Sequence, residues 1–217
     1  MTPLDDDGTG PILGEGGPGP ILGEAGPVAA PTTTSAPGLA GAPATADGPT
    51  AGLHGAEREA ATSRRAELAA RHLEPSDGRP ASSARGVHHV ALISSDVERT
   101  VEFYQDVLEF PLTEMFENRD YGGSTHFFFD IGHGNALAFF DLPGLDLGPY
   151  AEVLGGLHHL AISVEAGRWE HLKGKLDAQG IPYAHVDGSS LYLNDPDGAR
   201  IELISDPLGE MYGHPVV

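Results

Sequence analysis

Cysteine is absent from the 217-residue chain, which excludes disulfides and thiolate metal sites and leaves the redox compartment open. Basic residues are scarce: 12 Lys and Arg stand against 32 Asp and Glu, a formal net charge of −20. So acidic a balance excludes nucleic acid and anionic membrane surfaces as partners, since both are bound through basic patches. It fits a well-solvated surface and is compatible with a cationic ligand. No apolar run approaches the ~20 residues of a membrane span. The N-terminus lacks the basic-then-apolar order of a signal peptide, so the expectation is a cytoplasmic protein.

What is present divides into three materials. Residues 1–55 are dominated by Gly, Pro, Ala and Thr and cannot bury enough apolar surface to offset the entropy of ordering, which predicts disorder. Within them GPILGE occurs at Gly10–Glu15 and again at Gly19–Glu24, read as slippage in low-complexity sequence rather than a tandem recognition motif. Residues 56–84 are a helix and linker. Ala, Glu, Arg and Leu run from Ala56 to His72 and favour a helix, whose thin alanine stripe suits a surface helix or a dimer-contact arm. The third material, residues 85–217, carries the chemistry.

That region says one phrase twice. Gly86–Ser94 is GVHHVALIS and Gly156–Val164 is GLHHLAISV. The alternation reads as a half-buried strand, on which neighbouring side chains point to opposite faces. Val90, Leu92, Leu160 and Ile162 form the greasier face. His89 with Ala91, and His159 with Ala161, share the other, where small alanines leave room for a ligand. Each phrase opens a βαβββ unit, the first over about residues 85–145 and the second over about 155–207, followed by a tail at 208–217. In the first unit Asp96 is the expected N-cap of an amphipathic helix of roughly three turns, with Val97, Val101, Tyr104, Val107 and Leu108 at helical spacing. The fold class is α+β.

The final hairpins of the two units align without a gap. A shift of 64 residues carries Leu191–Pro207 onto Phe127–Pro143 and keeps the apolar face, the turn glycine and the closing proline. Glu202 then falls on Ala138. Its carboxylate projects on the histidine side of the strand. A buried carboxylate without a partner is costly, and coordination of an ion would offset that. His89, His159 and Glu202 are therefore the candidate ligands of a divalent metal, with open positions for substrate, water or dioxygen.

The stretches HHVALISSDVERTVEFYQDVLEF, GLHHLAISV and NDPDGARIELISDP resemble the vicinal oxygen chelate superfamily, which includes glyoxalases, extradiol dioxygenases and fosfomycin- and bleomycin-resistance proteins. The resemblance implies two βαβββ modules forming a cupped, partly open mixed β-sheet barrel around a divalent metal. It assigns the ligand role to His89, His159 and Glu202, the same members that the strand-face reading selects. Glyoxalase-type members use a fourth protein ligand, so Ala138 counts against a glyoxalase. A His-His-Glu set resembles that of iron-dependent extradiol dioxygenases and manganese-dependent fosfomycin transferases. Extradiol members add a His and a Tyr for proton handling, for which Tyr192, His126 and His185 are the candidates here. Resistance transferases need a basic anion-binding cluster, whereas Lys173 and Lys175 are expected on a helix surface.

The resulting expectation is an Fe(II)-dependent dioxygenase acting on a small catechol-like substrate, with Mn(II), Zn(II), Ni(II) or Co(II) as alternative metals. Phe128 and Phe140 would line the cavity, and Tyr212 and His214 of the tail would reach over its mouth or merely cover an edge strand. The alternatives are a metal-dependent lyase or isomerase, and a non-catalytic antibiotic-binding resistance protein. A homodimer is expected, and the sequence leaves open whether the cup closes within one chain or across two.

Overall fold

A computed structural model describes residues 52–217; the GPILGE repeat and the disorder expected over residues 1–51 lie outside the described residues. Helix α1, Gly55–His72, has Glu57 in its first turn and Arg71 and His72 in its last, an order that suits the helix dipole. None of its residues is buried. Among the described residues no helix is long and apolar enough to cross a membrane.

Two βαβββ modules follow. The first consists of β1 (His89–Ser94), α2 (Val97–Val101), β2 (Leu112–Glu117), β3 (Thr125–Asp130) and β4 (Ala136–Asp141). Its sheet has the order β1-β4-β3-β2, with β1 parallel to β4 and the other pairs antiparallel. The second consists of β5 (Leu160–Ser163), α3 (Ala166–Gln179), β6 (Ala184–Val186), β7 (Ser190–Asn194) and β8 (Arg200–Ile204), in the same order β5-β8-β7-β6. A short hairpin, β9 (Glu210–Met211) and β10 (His214–Pro215), ends the chain. The architecture is α+β with two open four-stranded mixed sheets. Among the described residues no ladder joins one sheet to the other.

The helices are where the modules differ in backbone. The Asp96 carboxylate accepts from the Arg99 N–H and caps α2 as the sequence predicts. After five residues, however, the helix widens into a π-helical turn, Glu102–Val107, in which the Leu108 N–H donates to the Phe103 carbonyl at 3.0 Å. Regular spacing would spread Phe103, Tyr104 and Leu108 over about 140° of the helix surface; the wider turn narrows that arc, and all three are buried. In the second module α3 stays α-helical and stops at Gly180, whose φ of 67° is the left-handed C-terminal geometry that glycine accommodates best.

One face of each sheet forms a single core with the helices. Phe127, Phe129, Leu137 and Phe139 from the first sheet, and Leu191, Leu193, Ile201 and Leu203 from the second, pack with Tyr104, Leu108, Trp169, Leu172 and Leu176. The modules also meet through polar contacts from the helices and the β7–β8 turn. Tyr104 Oη donates to Asp195 Oδ2 at 3.1 Å, inside the core. Glu109 accepts from Lys175 at 2.9 Å and His171 at 2.9 Å and pairs with Arg168 at 3.2 Å. Lys175 first, and then His171, lowers the Glu109 carboxyl to about 2. Lys175 is thus tied into the junction rather than free on a helix surface. Arg99 and Asp197 close the other end at 2.8 Å. With helices and apolar faces at the junction, the histidine faces of the two sheets lie on the sides away from it.

Candidate metal centre

Strand register builds the second module's half of the site. Ala161 pairs with Glu202, and Glu202 with Tyr192, so the three share one cross-strand row on the face opposite the core. Ser190, two residues before Tyr192, lies on the same face. Its buried hydroxyl donates to Glu202 Oε1 at 2.6 Å. The other carboxylate oxygen, Oε2, lies 3.1 Å from His159 Nε2. The carboxylate is 7% exposed and the imidazole 32%, so the acid is withdrawn and the imidazole is within reach of solvent. Tyr192 packs edge-on to His159 with ring centres 5.6 Å apart. Burial first, and then the hydrogen bond and charge of Glu202, pushes the Tyr192 hydroxyl up to about 12. At neutral pH it keeps its proton.

The donor set fits a divalent ion. Imidazole nitrogen and carboxylate oxygen bind such ions at about 2.1 Å, which puts two ligands of one ion about 3.0–3.4 Å apart; the His159 and Glu202 donor atoms meet that spacing. One Glu202 oxygen is fixed by Ser190 and the other is left for the ion.

The first module presents its histidine alike. His89 lies edge-on to Phe128 with ring centres 6.0 Å apart, as His159 lies to Tyr192. Beside it runs the row Ile93–Phe140–His126–Phe116, paired strand to strand. His126 stacks on Phe140 at 3.8 Å and 23°. Burial, and next the charge of His89, lowers its pKa, and its buried Nε2 has no hydrogen-bond partner. Phe116 and Ile93 are each about half exposed, so this row is apolar and open, with Glu114 opposite Phe128 at the edge of the same face.

His159 and Glu202 come together within one chain; His89 does not join them. Among the described residues no three His, Cys, Asp or Glu side chains converge where an ion could sit. The reason is the junction: packing the helices against each other turns the two ligand-bearing faces outward. His185 lies elsewhere too. It pairs with the core residue Leu191 and rests against Trp169 at 5.4 Å, on the opposite side of its sheet from Glu202. A two-residue phase in β6 decides this, since Ala184 is the residue opposite Tyr192. In the tail hairpin, Tyr212 stands near enough to Tyr192 to add to its upward shift, while His214 is exposed opposite Met211.

Some site residues escape the sequence reading. Ser190 could have been found by alternation from Tyr192, whereas the β-bulge between Leu112 and Glu114 hides the phase that puts Phe116 beside His126. The paired histidines also depart from strict alternation. His88 and His158 stand just before the ladders begin, and their rings touch those of His89 and His159, Nδ1 to Nδ1, at 2.9 and 2.7 Å.

The profile of the Glyoxalase/Bleomycin resistance protein/Dioxygenase superfamily matches residues 86–203, more than half of the chain. The chain belongs to this superfamily. Within the superfamily it is similar to "Putative ring-cleaving dioxygenase MhqA" of Bacillus subtilis, 25% identical over 139 residues, 60% of this chain and 43% of that protein. It thus spans less than half the length of that relative. It is also similar to the metallothiol transferase FosB of Shouchella clausii, 27% identical over 137 residues, 59% of this chain and 86% of that one. A solved structure of a "putative dioxygenase" from Bacillus subtilis superimposes with a TM-score of 0.51 at 25% identity, covering 60% of this chain and 43% of that chain. These superfamily relatives carry different activities on one fold, so the reaction has to be argued from the site.

Proposed function

We propose that this superfamily member is a divalent-metal-dependent enzyme whose centre is completed between two copies of the chain, His159 and Glu202 from one and the partner subunit's His89 from the other. The observation that carries the reading is the His159 Nε2–Glu202 Oε2 pair at 3.1 Å with Ser190 holding the second carboxylate oxygen. Each chain offers two complementary outward faces. One is polar and carries His159, Glu202 and Tyr192; the other is aromatic and carries His89, His126, Phe128 and Phe140. A two-fold dimer that sets one face against the other completes two equal sites and covers the half-exposed Ile93 and Phe116.

Two histidines and one carboxylate favour Fe(II) and an extradiol-type dioxygenase acting on a catechol-like substrate. A bound ion supplies Lewis acidity and open positions for adjacent substrate oxygens. The remaining chemistry falls to side chains. Ser190 fixes the carboxylate, and Tyr192 offers a proton that it retains at neutral pH. His126 packs on Phe140 with its Nε2 buried beneath the aromatic face, Phe128 and Phe140 flank a planar ring, and Tyr212 and His214 stand at the rim. A phosphonate substrate is disfavoured because Arg168 and Lys175 are held by Glu109.

Anaerobic reconstitution with Fe(II), followed by oxygen uptake with catechols, tests the reaction; turnover without oxygen would move the reading to a lyase or isomerase. Mixing tests the shared site. His89→Ala and Glu202→Ala are each expected to be inactive, and their mixed dimer regains activity because one of its two sites then has all three ligands. Failure to complement places the centre within one chain.

A further inference from the structure

His88 and His158 have no assigned role, yet they occur in the same arrangement twice. His88 meets His89 with ring centres 5.1 Å apart at 76°, and His158 meets His159 at 5.0 Å and 75°. In each pair the short contact joins the two Nδ1 atoms, at 2.9 and 2.7 Å. Each candidate ligand therefore has its Nδ1 tied to its neighbour. In the second module Nε2 is the nitrogen beside Glu202. The surrounding residues differ between modules, Phe128 against Tyr192 and Ala138 against Glu202, so the repeated pairing is a property of the His-His unit.

We propose that His88 and His158 are positioning residues, each accepting the Nδ1–H of its neighbour and so turning Nε2 of His89 and His159 outward as the unprotonated donor. An imidazole that binds a metal through Nε2 carries its one proton on Nδ1, and a hydrogen bond there fixes both tautomer and ring orientation. Such partners are usually backbone carbonyls or carboxylates; here the preceding residue supplies a neutral imidazole. The modules differ on the far side of this partner. Arg200 Nη1 lies 3.4 Å from His158 Nε2 while its Nη2 pairs with Glu152 at 2.8 Å, whereas the residue related to Arg200 is Ala136. Arg200 can only donate, which favours the Nδ1–H tautomer of His158 and so opposes its acceptor role; the first pair has no such opposition.

This inference rests on the metal-centre reading, and the test separates the two. Co(II) is titrated into the full-length protein and followed by its visible absorption, beside His158→Ala, His88→Ala and His158→Asn, with thermal unfolding of each apo protein as the control. Asn places a carbonyl oxygen where Nδ1 stands, so it keeps the acceptor without the ring. His158→Ala and His88→Ala are expected to weaken Co(II) binding by about 10–100-fold, His158→Asn to restore it to within a few-fold, and the unfolding temperature to stay unchanged. Wild-type binding with an unaffected His158→Ala variant overturns the positioning role alone, as does a loss that Asn does not rescue. No Co(II) binding by the wild type overturns the metal centre and the positioning role together.

Discussion

The two modules have the same strand order, the same paired histidines and an aromatic ring packed edge-on to the second of them, yet only the second has a carboxylate at the strand position where Glu202 stands. Position by position on the open face, Phe128 answers to Tyr192, His126 to Ser190, Ala138 to Glu202 and Ala136 to Arg200. The core faces have diverged far less: Phe127, Phe129, Leu137 and Phe139 answer to Leu191, Leu193, Ile201 and Leu203, all buried. Burial constrains a position to being apolar and of suitable volume, while an open face can change chemistry at little cost to the fold. A duplicated scaffold has thus become one polar half-site and one aromatic half-site, each incomplete alone.

The comparison can be broken at the core first. Phe139→Ala removes a ring that touches Tyr104, Phe127 and Phe129 and should destabilise the chain by about 3–5 kcal/mol, and Leu203→Ala at the related position by about 2–5 kcal/mol; urea unfolding measures both. A loss below 1 kcal/mol at either would mean that the two cores are not equivalent. Tyr192→Phe makes the second half resemble the first. Metal content should persist while kcat falls by about 10²-fold, the scale of a lost proton-transfer group; steady-state kinetics with parallel metal analysis decides, and an unchanged kcat removes Tyr192 from the chemistry.

Smaller effects sharpen the picture at the junction. Glu109→Gln should cost about 1 kcal/mol, since the cluster is near the surface. The folded carboxyl lies at about 2 against an ordinary 4.5, so its contribution is present above pH 4.5 and is lost as the pH falls from there toward 2. In acid titrations followed by circular dichroism, the wild type and the Gln variant should converge over that window; a constant gap counts against the ion cluster. Arg200→Ala, which gives the second His-His pair the neighbourhood of the first, should tighten Co(II) binding by about two- to threefold, the worth of one exposed charge. Weaker binding would mean that Arg200 supports the site.

Much of this molecule was legible because two periodicities were written into the chain. Alternation picked the inward faces, and the 64-residue relation between hairpins made Glu202 conspicuous against Ala138. Where local rules conflict, legibility ended. The helix after Asp96 reads as regular, but it widens into a π turn where Phe103, Tyr104 and Leu108 are buried. His185 reads as a companion of Glu202, but the phase of a three-residue strand put it beside Trp169. His88 and His158 read as facing away from their neighbours, because alternation holds only once the ladder has begun.

The chain by itself determined the modules, their core faces and the identity of the three candidate ligands, since all of these follow from local periodicity and internal repetition. The tertiary structure decided how the modules meet. By packing the π turn that follows α2 against α3 and binding Glu109 to three side chains of α3, it turned the ligand faces outward and separated His89 from Glu202. That outcome depends on contacts between residues some sixty positions apart, whose relative placement no local pattern encodes.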